Sequence, residues 1–124
     1  MAAAISNAMV QLLQAYTGRG PTRSRTTIDT DLVVCVLADT LTKGEAQLVR
    51  GGEEAIVLQQ RRAYQRLMRD DAVAAVERLT GREVIAFISE NHIAPDLAIE
   101  TFVLAPVANE DGLPTDGDAA VSAA

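Results

Sequence analysis

Arg61, Arg62, Arg66 and Arg69 form the densest cluster of chemistry-bearing side chains in the chain. Steps of four and three residues put Arg62, Arg66 and Arg69 on one stripe of a helix. A guanidinium presents its donors as a rigid planar fork that matches carboxylate and phosphate oxygens, so the stripe suits docking to an acidic partner or holding an anionic ligand. The plainer reading is a solvated face, with Arg66 paired to Asp70 one turn on and the others reaching nearby acids, an arrangement worth little energetically.

A second cationic segment is Gly18-Arg19-Gly20-Pro21-Thr22-Arg23-Ser24-Arg25. Its glycines let backbone N–H groups come close to an anion, and Arg19, Arg23 and Arg25 supply charge, so a phosphate-bearing metabolite, a nucleotide or bicarbonate is the ligand class it would take. It is not a P-loop: the helix precedes the strand and the Lys-Ser/Thr ending is missing. Its plainer reading is a polar turn from helix to strand.

Ser89, His92 and Asp96 include the residue types of a hydrolytic triad. A triad, however, needs a nucleophile on a strained turn, an oxyanion hole and a carboxylate oriented onto the imidazole, and no Gly-x-Ser-x-Gly is present. Asn91, Pro95 and Asp96 read instead as turn-forming residues, and no catalytic residue is expected. One histidine and one cysteine do not make a metal cage, and Asp29, Asp31 and Asp39 lack the spacing of a calcium loop, so neither metal nor cofactor is expected. Cys35 lies in an apolar run, where a thiol packs as a small hydrophobe.

The elements that must position these groups follow from periodicity. Ile5, Met9, Leu12, Leu13 and Tyr16 form one stripe of a helix from about Ala3 to Tyr16, stopped by Gly18 and Gly20-Pro21. Thr26 to Ala38 is rich in β-branched residues and reads as one strand, continuously apolar from Leu32 and covered on at least part of both faces. Thr42 and Glu45 have capping-box spacing and open a short helix to about Arg50. Beyond Gly51-Gly52, Glu53 to Thr80 reads as a long helix with Val57, Tyr64, Met68, Ala72, Val76 and Leu79 near one face, closed by Gly81. Glu83 to Ser89 and Leu97 to Ala105 then form a hairpin. The expected fold is α+β: a three-stranded antiparallel sheet against the long helix, with an N-terminal helix, as a single domain over residues 1–105. Residues 106–124 are poor in large apolar groups and read as a disordered acidic tail.

Composition excludes several classes. A chain of 124 residues holds one small domain, and 3% aromatic residues leave no platform for stacking bases. The net charge is −6, and the acids outweigh the bases mainly beyond Gly81, which disfavours sequence-specific nucleic-acid binding and anionic lipid. No apolar run is long enough to span a membrane. Met1 to Ala15 has no basic leader region and reads as an amphipathic helix, so a cytoplasmic location is expected.

Several segments recur in a recognisable order: Gly18-Arg19-Gly20-Pro21 after the first helix; the strand Asp31 to Leu37, then Leu41-Thr42 and Glu45; the Arg-rich helix ending Val76-Glu77-Arg78-Leu79-Thr80-Gly81-Arg82-Glu83-Val84; and Pro95-Asp96 with Glu100-Thr101-Phe102-Val103-Leu104. In this order and spacing the chain resembles the MpsC-type domain, a bacterial family described as part of a Na+-translocating, membrane-potential-generating system, from roughly Ala4 to Leu104. The resemblance implies a small accessory component that works beside membrane proteins for cation movement, with a link to inorganic-carbon uptake. It brings no catalytic residues, and Gly18, Arg19, Gly20 and Pro21 are the recognition motif it offers.

The expectation is therefore a non-enzymatic accessory or regulatory domain at the inner face of the cell membrane. It would dock on a membrane-protein partner through Arg61, Arg62, Arg66 and Arg69 with the Gly18–Arg25 segment; the alternative is a small-anion sensor at that segment. Exposed sheet edges and spare apolar surface on the first helix would be covered in a homodimer.

Overall fold

The apolar run ending at Ala38 is where sequence and structure part. The computed structural model describes residues 1–107, and in it this stretch is two strands, β1 (Arg23–Asp29) and β2 (Leu32–Ala38), joined at Thr30 and Asp31 in a tight hairpin. The sheet therefore has four strands, not three. Thr30 takes the left-handed conformation (φ 53°), which two-residue hairpin turns normally assign to Asn, Asp or Gly, so the usual turn signature is missing. Distant residues hold the turn: Arg82 Nη1 donates to the Thr30 carbonyl at 2.7 Å, and the Leu104 N–H donates to the Asp31 carbonyl at 2.7 Å.

The other elements are α1 (Ala2–Thr17), α2 (Lys43–Arg50), α3 (Glu54–Thr80), β3 (Val84–His92) and β4 (Leu97–Leu104). All strand pairs are antiparallel, in the order β1-β2-β4-β3. The tail expected over residues 106–124 lies, from residue 108 onward, outside the described residues.

Local chemistry sets the helix limits. Gly18 (φ 79°) ends α1, its N–H donating to the Gln14 carbonyl at 2.9 Å, and Gly81 (φ 70°) ends α3 in the same way on Glu77. The capping box of α2 is formed as expected: Thr42 N–H donates to Glu45 Oε1 at 2.8 Å, and Glu45 N–H to Thr42 Oγ1 at 3.2 Å.

α1 and α3 pack side by side on one face of the sheet, and α2 rests on α3. Ile5, Met9 and Leu13 of α1, Val33, Cys35 and Leu37 of β2, Met68, Ala72 and Val76 of α3, and Ala98, Phe102 and Leu104 of β4 form one buried core cluster. Each large aliphatic side chain fully buried in this way contributes roughly 1.5–3 kcal/mol. Because side chains alternate along a strand, the inward positions leave Leu32, Val34, Val36, Ile99 and Val103 on the opposite face of the sheet, where no helix among the described residues covers them. Burial pushes the Cys35 thiol pKa up, as suits a residue that packs as a hydrophobe.

Candidate functional site

Arg62, Arg66 and Arg69 rise along the exposed edge of α3, beside β3. With Gln65 of the same helix and Phe87 and Ser89 of β3 they line a cleft of about 210 Å³. Drug-sized ligands and cofactors occupy pockets of roughly 300–1,000 Å³, so this cleft is matched to a side chain or a small anion. Arg69 is fixed against its floor: the guanidinium carbon lies 5.6 Å from the Phe87 ring centre, and Nη1 donates to the Phe87 carbonyl at 3.4 Å. Phe87 in turn stacks on Phe102, with ring centres 4.9 Å apart, which anchors the floor in the core.

None of the three arginines has a carboxylate within 4.0 Å among the described residues, and the Arg66–Asp70 pair expected of a solvated face is not formed. Their charge faces solvent.

Arg61 departs from the expected surface group. It is 3% exposed and lies on the core stripe of α3, one turn beyond Val57. Its Nη2 donates to Glu45 Oε1 at 2.6 Å and to the Thr40 carbonyl, and its Nε donates to Glu45 Oε2 at 3.1 Å. Gln60 Nε2 adds a donor to the same carboxylate at 3.2 Å. Arg61 thus joins α3 to the start of α2.

The groups of the Gly18–Arg25 segment are divided among several settings. Gly18 is the helix cap, and Arg19 Nε donates to the Asp39 carbonyl at 3.1 Å. A Cβ on Gly20 would come within 2.8 Å of the Gln14 side-chain oxygen, so this glycine makes room for Gln14. Pro21 leads into β1, where Arg23 and Arg25 stand on the sheet face turned away from the helices. Asp39 itself has φ 60° and is held by Thr22, whose hydroxyl donates to its carboxylate, and by its own N–H to the Asp96 carbonyl.

The Ser89, His92 and Asp96 side chains are not hydrogen-bonded to one another. His92 Nδ1 lies 2.8 Å from the Pro95 carbonyl. Asp96 accepts from Thr40 N–H, Thr40 Oγ1 and Leu41 N–H at 3.0, 2.9 and 2.9 Å, tying the β3–β4 turn to the end of β2. Ser89 is inside β3 and faces the cleft.

Gln65, Phe87 and Glu100 are the residues of this region that sequence reasoning missed, and Ser89 entered it only as a triad residue type. Glu100 of β4 pairs with Ser89 across the strands and is 3% exposed. Ser89 Oγ and Glu100 Oε2 are both buried without a hydrogen-bond partner among the described residues. Burial raises the Glu100 pKa to about 7, against a smaller opposing pull from Ser89 and Gln65. The alternation of β3 signals only that Phe87 and Ser89 share one face of the strand.

The family model for MpsC, described as a Na+-translocating membrane potential-generating system, matches residues 1–106. The chain belongs to the MpsC family. The match takes in the three helices and four strands of the described residues, and hence every residue lining the cleft. No curated protein and no solved structure matches the chain. Among the described residues, no helix is long and apolar enough to cross a membrane.

Proposed function

We propose that this chain is a non-catalytic docking component of the Na+-translocating, membrane-potential-generating system for which its family is named, and that it engages a membrane subunit through the cleft between α3 and β3. One observation carries the reading: three guanidinium groups project from a single helix edge over an apolar, Phe87-floored cleft, uncompensated by any carboxylate within 4.0 Å among the described residues. In a chain of net charge −6, a cationic patch of this kind selects for a locally acidic partner, and the small cleft fits a carboxylate side chain of that partner. Electrostatic docking of exposed charges speeds encounter and weakens as salt rises.

The cleft is favoured over the Gly18–Arg25 segment as the contact surface because the latter's groups are divided between a helix cap, a bond to the Asp39 carbonyl and the outer face of β1. The test is co-purification with the membrane subunits of the system. Arg62→Glu, Arg66→Glu and Arg69→Glu combined are expected to abolish it with the circular-dichroism spectrum unchanged, and raised salt is expected to weaken it in the wild type. Retention by the folded triple variant overturns the role of the cleft.

A further inference from the structure

Among the described residues the sheet has helices on one face only, and its other face carries a self-complementary pattern. Residues paired across antiparallel strands point to the same side, so the registers define rows across the open face. One row reads Arg25–Val36–Ile99–Glu90, the next Thr27–Val34–Thr101–Ile88, and the next Asp29–Leu32–Val103–Ala86. The two middle strands are almost wholly aliphatic here. Leu32 is 42% exposed and Ile88 is 56% exposed. Four strands about 4.8 Å apart and seven residues at about 3.3 Å each make a face of roughly 19 by 23 Å, aliphatic along its two middle strands and charged or polar along β1.

We propose that this face is an interface between two copies of the chain, packed sheet on sheet about a two-fold axis that runs parallel to the strands between β2 and β4. That axis lays β1 of one copy over β3 of the other and keeps each row in register. Arg25 then meets the partner's Glu90, Val36 meets the partner's Ile99, and Leu32 meets the partner's Val103, each contact occurring twice as an isologous interface requires. About this axis the basic end of the Arg25 row meets the partner's acidic end at Glu90, so the outer charges of that row are complementary. Arg23, Arg25, Val36, Ala38 and Leu97 also line a hollow of about 540 Å³ on this face that side chains of a second copy can enter. Face-to-face sheets pack about 10 Å apart with strand directions within about 30°. The arginine cleft opens on the helical side, so the two surfaces are independent.

Light scattering coupled to size exclusion on the full chain tests the interface. The wild type is expected at twice the chain mass. Arg25→Glu, which sets acid against the partner's Glu90, is expected to shift it to the monomer, and adding Glu90→Arg to the same chain is expected to restore the dimer. Ile99→Lys is expected to give a folded monomer; if it does not fold, the charge-reversal pair decides alone. A monomeric wild type overturns the proposal, whether or not that monomer binds lipid vesicles. So does a dimer indifferent to Arg25→Glu, or one that the double reversal fails to restore.

Discussion

Arg61 on α3 grips Glu45 on α2 through hydrogen bonds of 2.6 and 3.1 Å, with both side chains almost completely withdrawn from water. Glu45 is at the same time half of the α2 capping box, so one carboxylate ends a helix start and fastens two helices. Removing one partner strands a buried charge, at a cost of about 3–5 kcal/mol. Arg61→Met is therefore expected to lower the urea midpoint strongly, and Glu45→Gln added to it to recover part of the loss by removing the orphaned charge. Additive losses in the double variant would show that the two residues act separately.

Asp96 accepts three hydrogen bonds from Thr40 and Leu41, and Thr40 is buried. Asp96→Ala leaves those donors unpaired and is expected to cost about 2–4 kcal/mol, a carboxylate bond being worth about 1.5–3 kcal/mol and the orphaned groups adding to it. His92→Ala, at an exposed position, is expected to stay within about 0.5 kcal/mol of wild type. Chemical denaturation of the two variants separates a structural Asp96 from a catalytic one, since a purely catalytic aspartate would leave the midpoint unmoved.

Glu100 makes stability depend on pH in a defined sense. Its folded pKa is raised from 4.5 to about 7 by burial. Between those values the folded chain holds a proton that the unfolded chain has released, so this contribution is present below about pH 4.5 and is lost as pH rises through 7. The difference amounts to on the order of 3 kcal/mol. Glu100→Gln is expected to raise the melting temperature above neutral pH, to leave it nearly unchanged under mildly acidic conditions, and to flatten the profile between them. A profile that keeps its slope in the variant would assign the pH dependence to another group.

Thr30 occupies the left-handed region at φ 53°. This conformation costs an ordinary residue about 1–2 kcal/mol and Asn less. Thr30→Asn is expected to stabilise the chain by about 0.5–1 kcal/mol, and Arg82→Ala, which removes the donor to the Thr30 carbonyl, to destabilise it; thermal unfolding reads both.

The same turn explains what the sequence conceals. Periodicity alone reveals α1, α2 and α3, because Ile5, Met9 and Leu13 or Val57, Met68 and Ala72 repeat at helical spacing and Thr42 and Glu45 announce a cap. The β1–β2 hairpin is hidden because β-branched Thr30 stands at the left-handed position where a two-residue turn normally shows Asn or Gly, and the hydrogen bonds that hold the turn come from Arg82 and Leu104, remote in sequence. In the site, the spacing of Arg62, Arg66 and Arg69 already defines their common edge. Arg61 looks equivalent by composition, but its four-residue step from Val57 places it on the core stripe, and its partner Glu45 belongs to a different helix. Phe87 and Ser89 enter the cleft through the way β3 lies beside α3, a tertiary relation that local periodicity does not encode.

Cys35, the single cysteine, sits at the middle of a central strand with its side chain turned into the core. A thiol reagent therefore has no route to the sulfur while α1 and the sheet stay together, and its rate of reaction becomes a clock for the opening of the whole molecule. The protein carries its own unfolding reporter, one that needs no engineered label.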